Sequence, residues 1–175
     1  MRGSLPSAPA AQSKSLKDAG DKIPSRFATG NHECDRVLGG GIVPGSLVLL
    51  SGEPGIGKST LVAMLAASLP KAPPVLYISG EESQMQLASR FERLGLPFEH
   101  VRYLESIPVE QLCATIKKEK PALAIIDSIQ TVSSSELDAA IGSPSLIRYA
   151  THLLMRVAKE IDVPVLLIGQ VTKDG

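Results

Sequence analysis

The run Gly52-Glu53-Pro54-Gly55-Ile56-Gly57-Lys58-Ser59 fits the spacing G-x-x-x-x-G-K-[ST], directly after an apolar stretch and directly before a helix-forming one. That setting is what the pattern needs in order to work chemically. Glycines let the backbone curl so that its amide N–H groups point inward at a phosphate, and the N-terminus of the following helix adds the positive end of its dipole. Lys58 supplies a charge for β- and γ-phosphates, and Ser59 a hydroxyl ligand for Mg²⁺. The plainer alternative is a glycine turn carrying a surface lysine. The candidate nucleotide-binding segment is Gly52, Glu53, Pro54, Gly55, Ile56, Gly57, Lys58, Ser59 and Thr60. Glu53 fills a variable position in it, where a carboxylate turned inward would meet like charge, so its side chain is expected to face solvent or a neighbouring subunit.

Leu123-Ala124-Ile125-Ile126-Asp127 is an apolar run ending in an acid, the form of a second metal-organising element, so Ser59 and Asp127 are the candidate Mg²⁺ ligands. Hydrolysis further needs a group that orients or deprotonates the attacking water. Glu81 and Glu82 qualify, just beyond the apolar run ending at Ser79. In open α/β sheets such groups project from the carboxyl ends of strands. At the end of the last apolar run, Gln170 sets a neutral amide where it could meet a γ-phosphate or the lytic water; a polar residue opening a loop is the alternative. No Asn-Lys-x-Asp guanine-reading motif is present, the nearest run being Thr172-Lys173-Asp174-Gly175, so ATP is preferred over GTP.

Five apolar runs are expected as strands: Ser46 to Ser51, Pro74 to Ser79, Val101 to Leu104, Ala122 to Asp127 and Val163 to Gly169. Most are continuously apolar, as in parallel strands covered on both faces. Helical segments of adequate length fall between them: Lys58 to Leu69 after a Gly-rich turn, and, with apolar residues on one face, Gln84 to Leu94 behind a Ser83-x-x-Gln86 capping box, Val109 to Lys118, and the long stretch after Ser143-Pro144. The alternation predicts an α/β fold, a doubly wound, mainly parallel sheet with short crossovers. Gly80 is expected simply to let the chain turn off its strand. Residues 131 to 143 form a long polar connection, a length that is commonly functional or mobile.

With 175 residues, 43% hydrophobic and 21% charged, the chain is long enough for one folded core without metal or disulfide staples. Residues 1 to 22 are too poor in apolar side chains to fold and read as a disordered linker or tail, leaving 23 to 175 as the domain. Eighteen basic residues balance 18 acidic ones, so any contact with nucleic acid must come from a local patch. Cys34 and Cys113 lack the spacing of a zinc site and are expected as reduced core thiols. No apolar stretch approaches the ~20 residues of a membrane helix, and the N-terminus lacks a secretory apolar centre, so a cytoplasmic location is expected.

Arg26-Phe27-Ala28-Thr29-Gly30, Asp35 through Ser46, the phosphate loop, Tyr77-Ile78-Ser79-Gly80-Glu81-Glu82-Ser83 and Ile126-Asp127-Ser128-Ile129-Gln130-Thr131 together resemble the ATPase domain of the bacterial RadA (Sms) DNA-repair family, from about residue 24 to the last residue. The resemblance implies a RecA-like P-loop NTPase core in which the strand ending at Gln170 lies between the phosphate-loop strand and the Asp127 strand. It also implies Glu81 as the water-activating carboxylate and Gln170 as a nucleotide sensor, beside Lys58. Two positions depart from the family: Gln170 stands where many relatives carry His, and Cys34 where an apolar residue is usual. The family's N-terminal four-cysteine zinc module, its Lys-Asn-Arg-Phe-Gly motif and its Lon-protease-like domain are not in these residues, so the chain reads as a C-terminally truncated ATPase segment.

By that resemblance the chain is the ATP-binding and ATP-hydrolysing core of a DNA-dependent ATPase and branch-migration helicase in recombinational repair. ATP and Mg²⁺ are its cofactors. Single-stranded or branched DNA, a homo-oligomeric ring and a RecA-type recombinase are its expected partners. DNA would meet the loop 131 to 143 with Arg148, and the segment from Val171 with Lys173; Arg148 as a solvated helix charge is equally compatible. Only 3% of residues are aromatic, which speaks against base stacking. A nucleotide-dependent assembly module with negligible turnover, and a P-loop small-molecule kinase, are the competing readings.

Overall fold

The computed structural model describes residues 25–170, together with Gln12, Ser13, Ser15 and Lys17. The tail expected over residues 1 to 22 lies almost wholly outside the described residues, as do Val171 and Lys173.

The chain alternates strand and helix as the apolar periodicity dictates. Its elements are α1 (His32–Val37), β1 (Leu47–Gly52), α2 (Lys58–Ser68), β2 (Val75–Ser79), α3 (Gln84–Arg93), β3 (Val101–Glu105), α4 (Val109–Glu119), β4 (Leu123–Asp127), a 3₁₀ turn (Ile129–Thr131), α5 (Pro144–Ile161) and β5 (Val165–Gln170). All strand pairings are parallel, in the order β1-β5-β4-β2-β3. The strand ending at Gln170 therefore lies between β1 and β4.

Period-2 alternation splits the apolar residues of the sheet between two cores. Leu76, Ile78, Ala124, Ile126, Val165 and Leu167 pack against the buried stripes of α4 and α5. Val75, Tyr77, Leu123, Ile125, Leu166 and Ile168 pack against α2 and α3 on the opposite face. Continuous apolar strands are needed because both faces of β2 and β4 are covered. Helix ends follow local chemistry: the capping box at Ser83 and Gln86 forms, and Ser143 accepts from the Leu146 amide with Pro144 in the first turn of α5.

Four features differ from expectation. Short helix α1, capped by Asn31, has no apolar stripe of its own and was not legible. Strand β1 is apolar but not covered on both faces: it stands at the edge of the sheet, with Leu49 exposed. Beside it an apolar groove of about 310 Å³ runs between α1, α2 and the sheet, with Cys34 in its wall. Cys34 is thus half-buried rather than a core thiol, because α1 lies at the rim; burial, then Asp35 and Glu33, push its thiol up. Cys113 is a core thiol, pushed up to about 11 by burial. Finally, the long connection after β4 is tied down at its start. Ser133 bridges to Pro108 and accepts from the Val109 amide, while Glu110 accepts from Ser134 Oγ (2.5 Å), Ser135 N (3.0 Å) and Ser135 Oγ (3.1 Å).

Candidate nucleotide site

At the carboxyl ends of four adjacent strands lies a cleft of about 350 Å³. The loop between β1 and α2 forms one wall. Gly55 and Gly57 have φ of +78° and +99°, a backbone region that favours glycine, and Gly57 is the residue that opens α2. Lys58 folds back across this loop, its Nζ donating to the carbonyl oxygens of Gly52 and Glu53, each at 2.8 Å. Of the expected segment, Pro54, Gly55, Gly57, Lys58, Ser59 and Thr60 line the cleft; Gly52 and Glu53 contribute backbone carbonyls to Lys58, and Ile56 projects into solvent.

The register brings the remaining groups together. Ser79 pairs with Asp127, Asp127 with Ile168 and Gly52 with Gln170, so β2 and β4 end together and β5 and β1 run two residues beyond them. Asp127 is buried at the floor, accepting from the Tyr77 hydroxyl at 2.9 Å. Burial pushes its carboxyl above the usual carboxylate range, opposed by hydrogen bonds from Tyr77 and Ser59. The Tyr77 hydroxyl is itself pushed far above its ordinary range by burial and by Asp127.

Past the end of β2, Ser79 Oγ accepts from the amides of both Glu81 and Glu82, and the two side chains then diverge. Glu81 lines the cleft; its Oε1 accepts from Ser128 Oγ at 2.7 Å and from Gln170 Nε2 at 3.1 Å. Glu82 turns away and pairs with Arg90 at 2.6 Å, while its carbonyl accepts from the Tyr103 hydroxyl. Gly80 is required by close approach rather than by its turn: a methyl there would overlap Thr131. Gln130 Nε2 in turn donates to the Gln170 carbonyl at 3.1 Å.

Arg90, Tyr77, Ser128 and Ile168 belong to this site or its support without having been singled out. For Arg90 a signal existed, a cation three positions after Leu87 on the buried side of α3. Ser128 and Tyr77 act through neighbouring strands, which requires the strand order. Among the described residues no three His, Cys, Asp or Glu side chains cluster to hold a metal. The hydroxyl of Ser59 and the carboxylate of Asp127 are hard oxygen donors, and this sparse set suits Mg²⁺, which keeps several waters and shares phosphate oxygens.

A parallel sheet in this order, with the phosphate loop between β1 and α2 and an acid ending β4, defines a RecA-like P-loop NTPase domain. The family model of the AAA domain matches residues 18–175, and the chain belongs to that family. It is similar to the DNA repair protein RadA of Escherichia coli K12 (41% identity over 175 residues, all of this chain and 38% of that protein). RadA of Pseudomonas aeruginosa is 42% identical over 162 residues (93% and 36%), and RadA of Halalkalibacterium halodurans 48% over 151 residues (86% and 33%). The chain thus spans little more than a third of the length of these relatives. The family implies nucleotide binding. No helix among the described residues is long and apolar enough to cross a membrane.

Proposed function

We propose that this chain is the ATP-binding and ATP-hydrolysing core of a DNA-dependent ATPase that drives branch migration in recombinational DNA repair. The observation that carries the reading is the position of Glu81, in the cleft opposite the phosphate loop and shared between Ser128 and Gln170. Its support from outside the site is the similarity to proteins named for DNA repair.

Lys58 exchanges the carbonyls of Gly52 and Glu53 for β- and γ-phosphate oxygens of ATP, and the loop amides take the rest of their charge. Ser59 and Asp127 would hold Mg²⁺, which when bound neutralises charge on the phosphates. Glu81 accepts a proton from the water whose oxygen bonds to the γ-phosphorus as the bond to the β,γ-bridging oxygen breaks and ADP leaves. Gln170, donating to Glu81 in this state, has an amide that can turn to the γ-phosphate and so report it along β5. Gln130, which donates to the main-chain carbonyl of Gln170, ties that strand end to the 3₁₀ turn and the loop 131–143, the surface assigned here to single-stranded or branched DNA together with the exposed Arg148. A homo-oligomeric ring, a RecA-type recombinase as partner and a cytoplasmic location complete the proposal.

One observation favours a second reading, an assembly module that binds ATP with negligible turnover. The cations lining the cleft among the described residues are Lys58 and Arg90, and Arg90 is tied to Glu82; fast phosphoryl transfer commonly draws a further cation from a neighbour. ATP hydrolysis with and without single-stranded DNA, measured alongside oligomeric state, separates the two. DNA-stimulated turnover supports the motor; tight ATP binding with no turnover in either condition supports the module.

A further inference from the structure

Arg90 stands between two hollows. On one side it lines the nucleotide cleft; on the other it shares a shallow pocket with Glu82, Met85 and Gln86. Its Nη2 donates to Glu82 Oε1 at 2.6 Å, and both side chains are about four-fifths buried, with relative exposures of 20% and 22%. Its Nη1 is shut off from solvent with no partner among the described residues, as is Glu82 Oε2, so that nitrogen is not the part of the side chain presented to the open cleft.

A buried carboxylate that loses its cation must find other donors or move to water. The donors at the head of the cleft, Ser128 Oγ and Gln170 Nε2, are the ones that Glu81, the preceding residue, uses. We propose that Arg90 is a positioning residue of this site, which holds Glu82 out of the nucleotide cleft so that Glu81 alone faces the reacting phosphate. This rests on the assignment of Glu81 as the proton acceptor. Arg90 chooses between two adjacent, chemically identical groups: the cleft keeps one carboxylate beside the phosphate, and like-charge repulsion from a second is avoided.

Four variants test it: Arg90→Met, Arg90→Lys, Glu82→Gln and the double variant Arg90→Met/Glu82→Gln. Affinity is read with the fluorescent nucleotide mant-ATP in the presence of Mg²⁺, and turnover from ATP hydrolysis. Arg90→Met is expected to keep its mant-ATP affinity within about threefold while kcat falls about tenfold or more, because a misplaced base loses rate and not binding. Arg90→Lys, which retains the charge, restores most of kcat. The double variant leaves no unpaired buried charge, so it folds even if Arg90→Met does not, and it turns over faster than Arg90→Met because the competing carboxylate is gone. A double variant as slow as the single one, or an Arg90→Met kcat within about twofold of the parent, overturns the proposal. A mant-ATP affinity reduced by about thirtyfold or more would make Arg90 a nucleotide ligand and also overturn it. If the parent protein binds mant-ATP but never hydrolyses ATP, the proposed function fails, and the crystal structure of Arg90→Met decides the positioning role by itself. Glu82 turned to Ser128 or Gln170 supports it; Glu82 unmoved sinks it.

Discussion

Glu81 and Glu82 leave the end of β2 together, with both amides held by Ser79 Oγ, yet one carboxylate meets two neutral donors and the other a guanidinium. A carboxylate held by Ser128 and Gln170 keeps lone pairs for a water, whereas Glu82, which does not line the cleft, is engaged by the Arg90 guanidinium. Glu81→Gln, isosteric but unable to accept a proton, should bind ATP as the parent does and lose about 10²–10⁴ in kcat. Glu82→Gln should lose markedly less; the reverse ranking in a steady-state assay would reassign the base. Lys58 is the other residue with a single task. Its ammonium already sits on two loop carbonyls, so ATP gains its charge only by displacing them. Lys58→Ala should weaken ATP binding by about 1.5–3 kcal/mol, roughly ten- to a hundredfold in Kd by calorimetry; unchanged affinity would remove the phosphate loop from the mechanism.

At the scale of elements, the connection after β4 is fixed by the first turn of α4. Burial works against ionisation of Glu110, but hydrogen bonds from Ser134 and Ser135 outweigh it and hold the carboxyl at about 2 against an ordinary 4.5. Because the folded value is depressed, the stabilisation is complete above about pH 4.5 and is lost as pH falls toward about 2. Glu110→Gln should therefore lower the urea midpoint at neutral pH by the equivalent of about 1 kcal/mol, the side chain being partly exposed. The difference from the parent should close in acid; a gap that persists at pH 2 would point to another cause. Tight packing governs the Glu81 turn as well. Gly80→Ala must push Thr131 away, for about 1–3 kcal/mol of stability, and should lower turnover more than ATP affinity because Glu81 is the next residue. What the chain reveals before folding divides along the same lines. Strands β1 to β5 are apolar runs, helices α3 to α5 carry their own apolar periods, α2 follows a glycine-rich turn, and the phosphate loop and Asp127 are local patterns. Helix α1 depends on a single cap, Ser134 and Ser135 look like loop filler until Glu110 meets them, and Arg90 and Tyr77 acquire roles only when neighbouring elements bring acids to them.

For the whole molecule, what matters is the difference between chain order and spatial order. Placing β5 between β1 and β4 puts Gln170 in register with Gly52, and placing β2 beside β4 puts Ser79, at the root of the Glu81 turn, in register with Asp127. Groups separated by as much as the interval from Pro54 to Gln170 then share one cleft, and no two neighbouring elements suffice to build it. A nucleotide seated there would bridge the ends of β1, β2, β4 and β5 and so would bind only the assembled sheet, the condition under which a ligand stabilises folding by mass action. At a hundredfold excess of ATP over its Kd the gain is about 2.7 kcal/mol, and at about 2–4 °C per kcal/mol for a domain of this size the unfolding midpoint should rise by about 5–10 °C. Chelating Mg²⁺ should remove part of that shift and Lys58→Ala about half of it or more, both read by scanning calorimetry. If both cores, one on each face of the sheet, unfold as one unit, the transition stays single and moves as a whole. A split transition, with ATP moving only the part that contains α2 and α3, would mean that the two faces are not coupled through the strands and that nucleotide binding cannot be transmitted to the loop after β4 by way of β5.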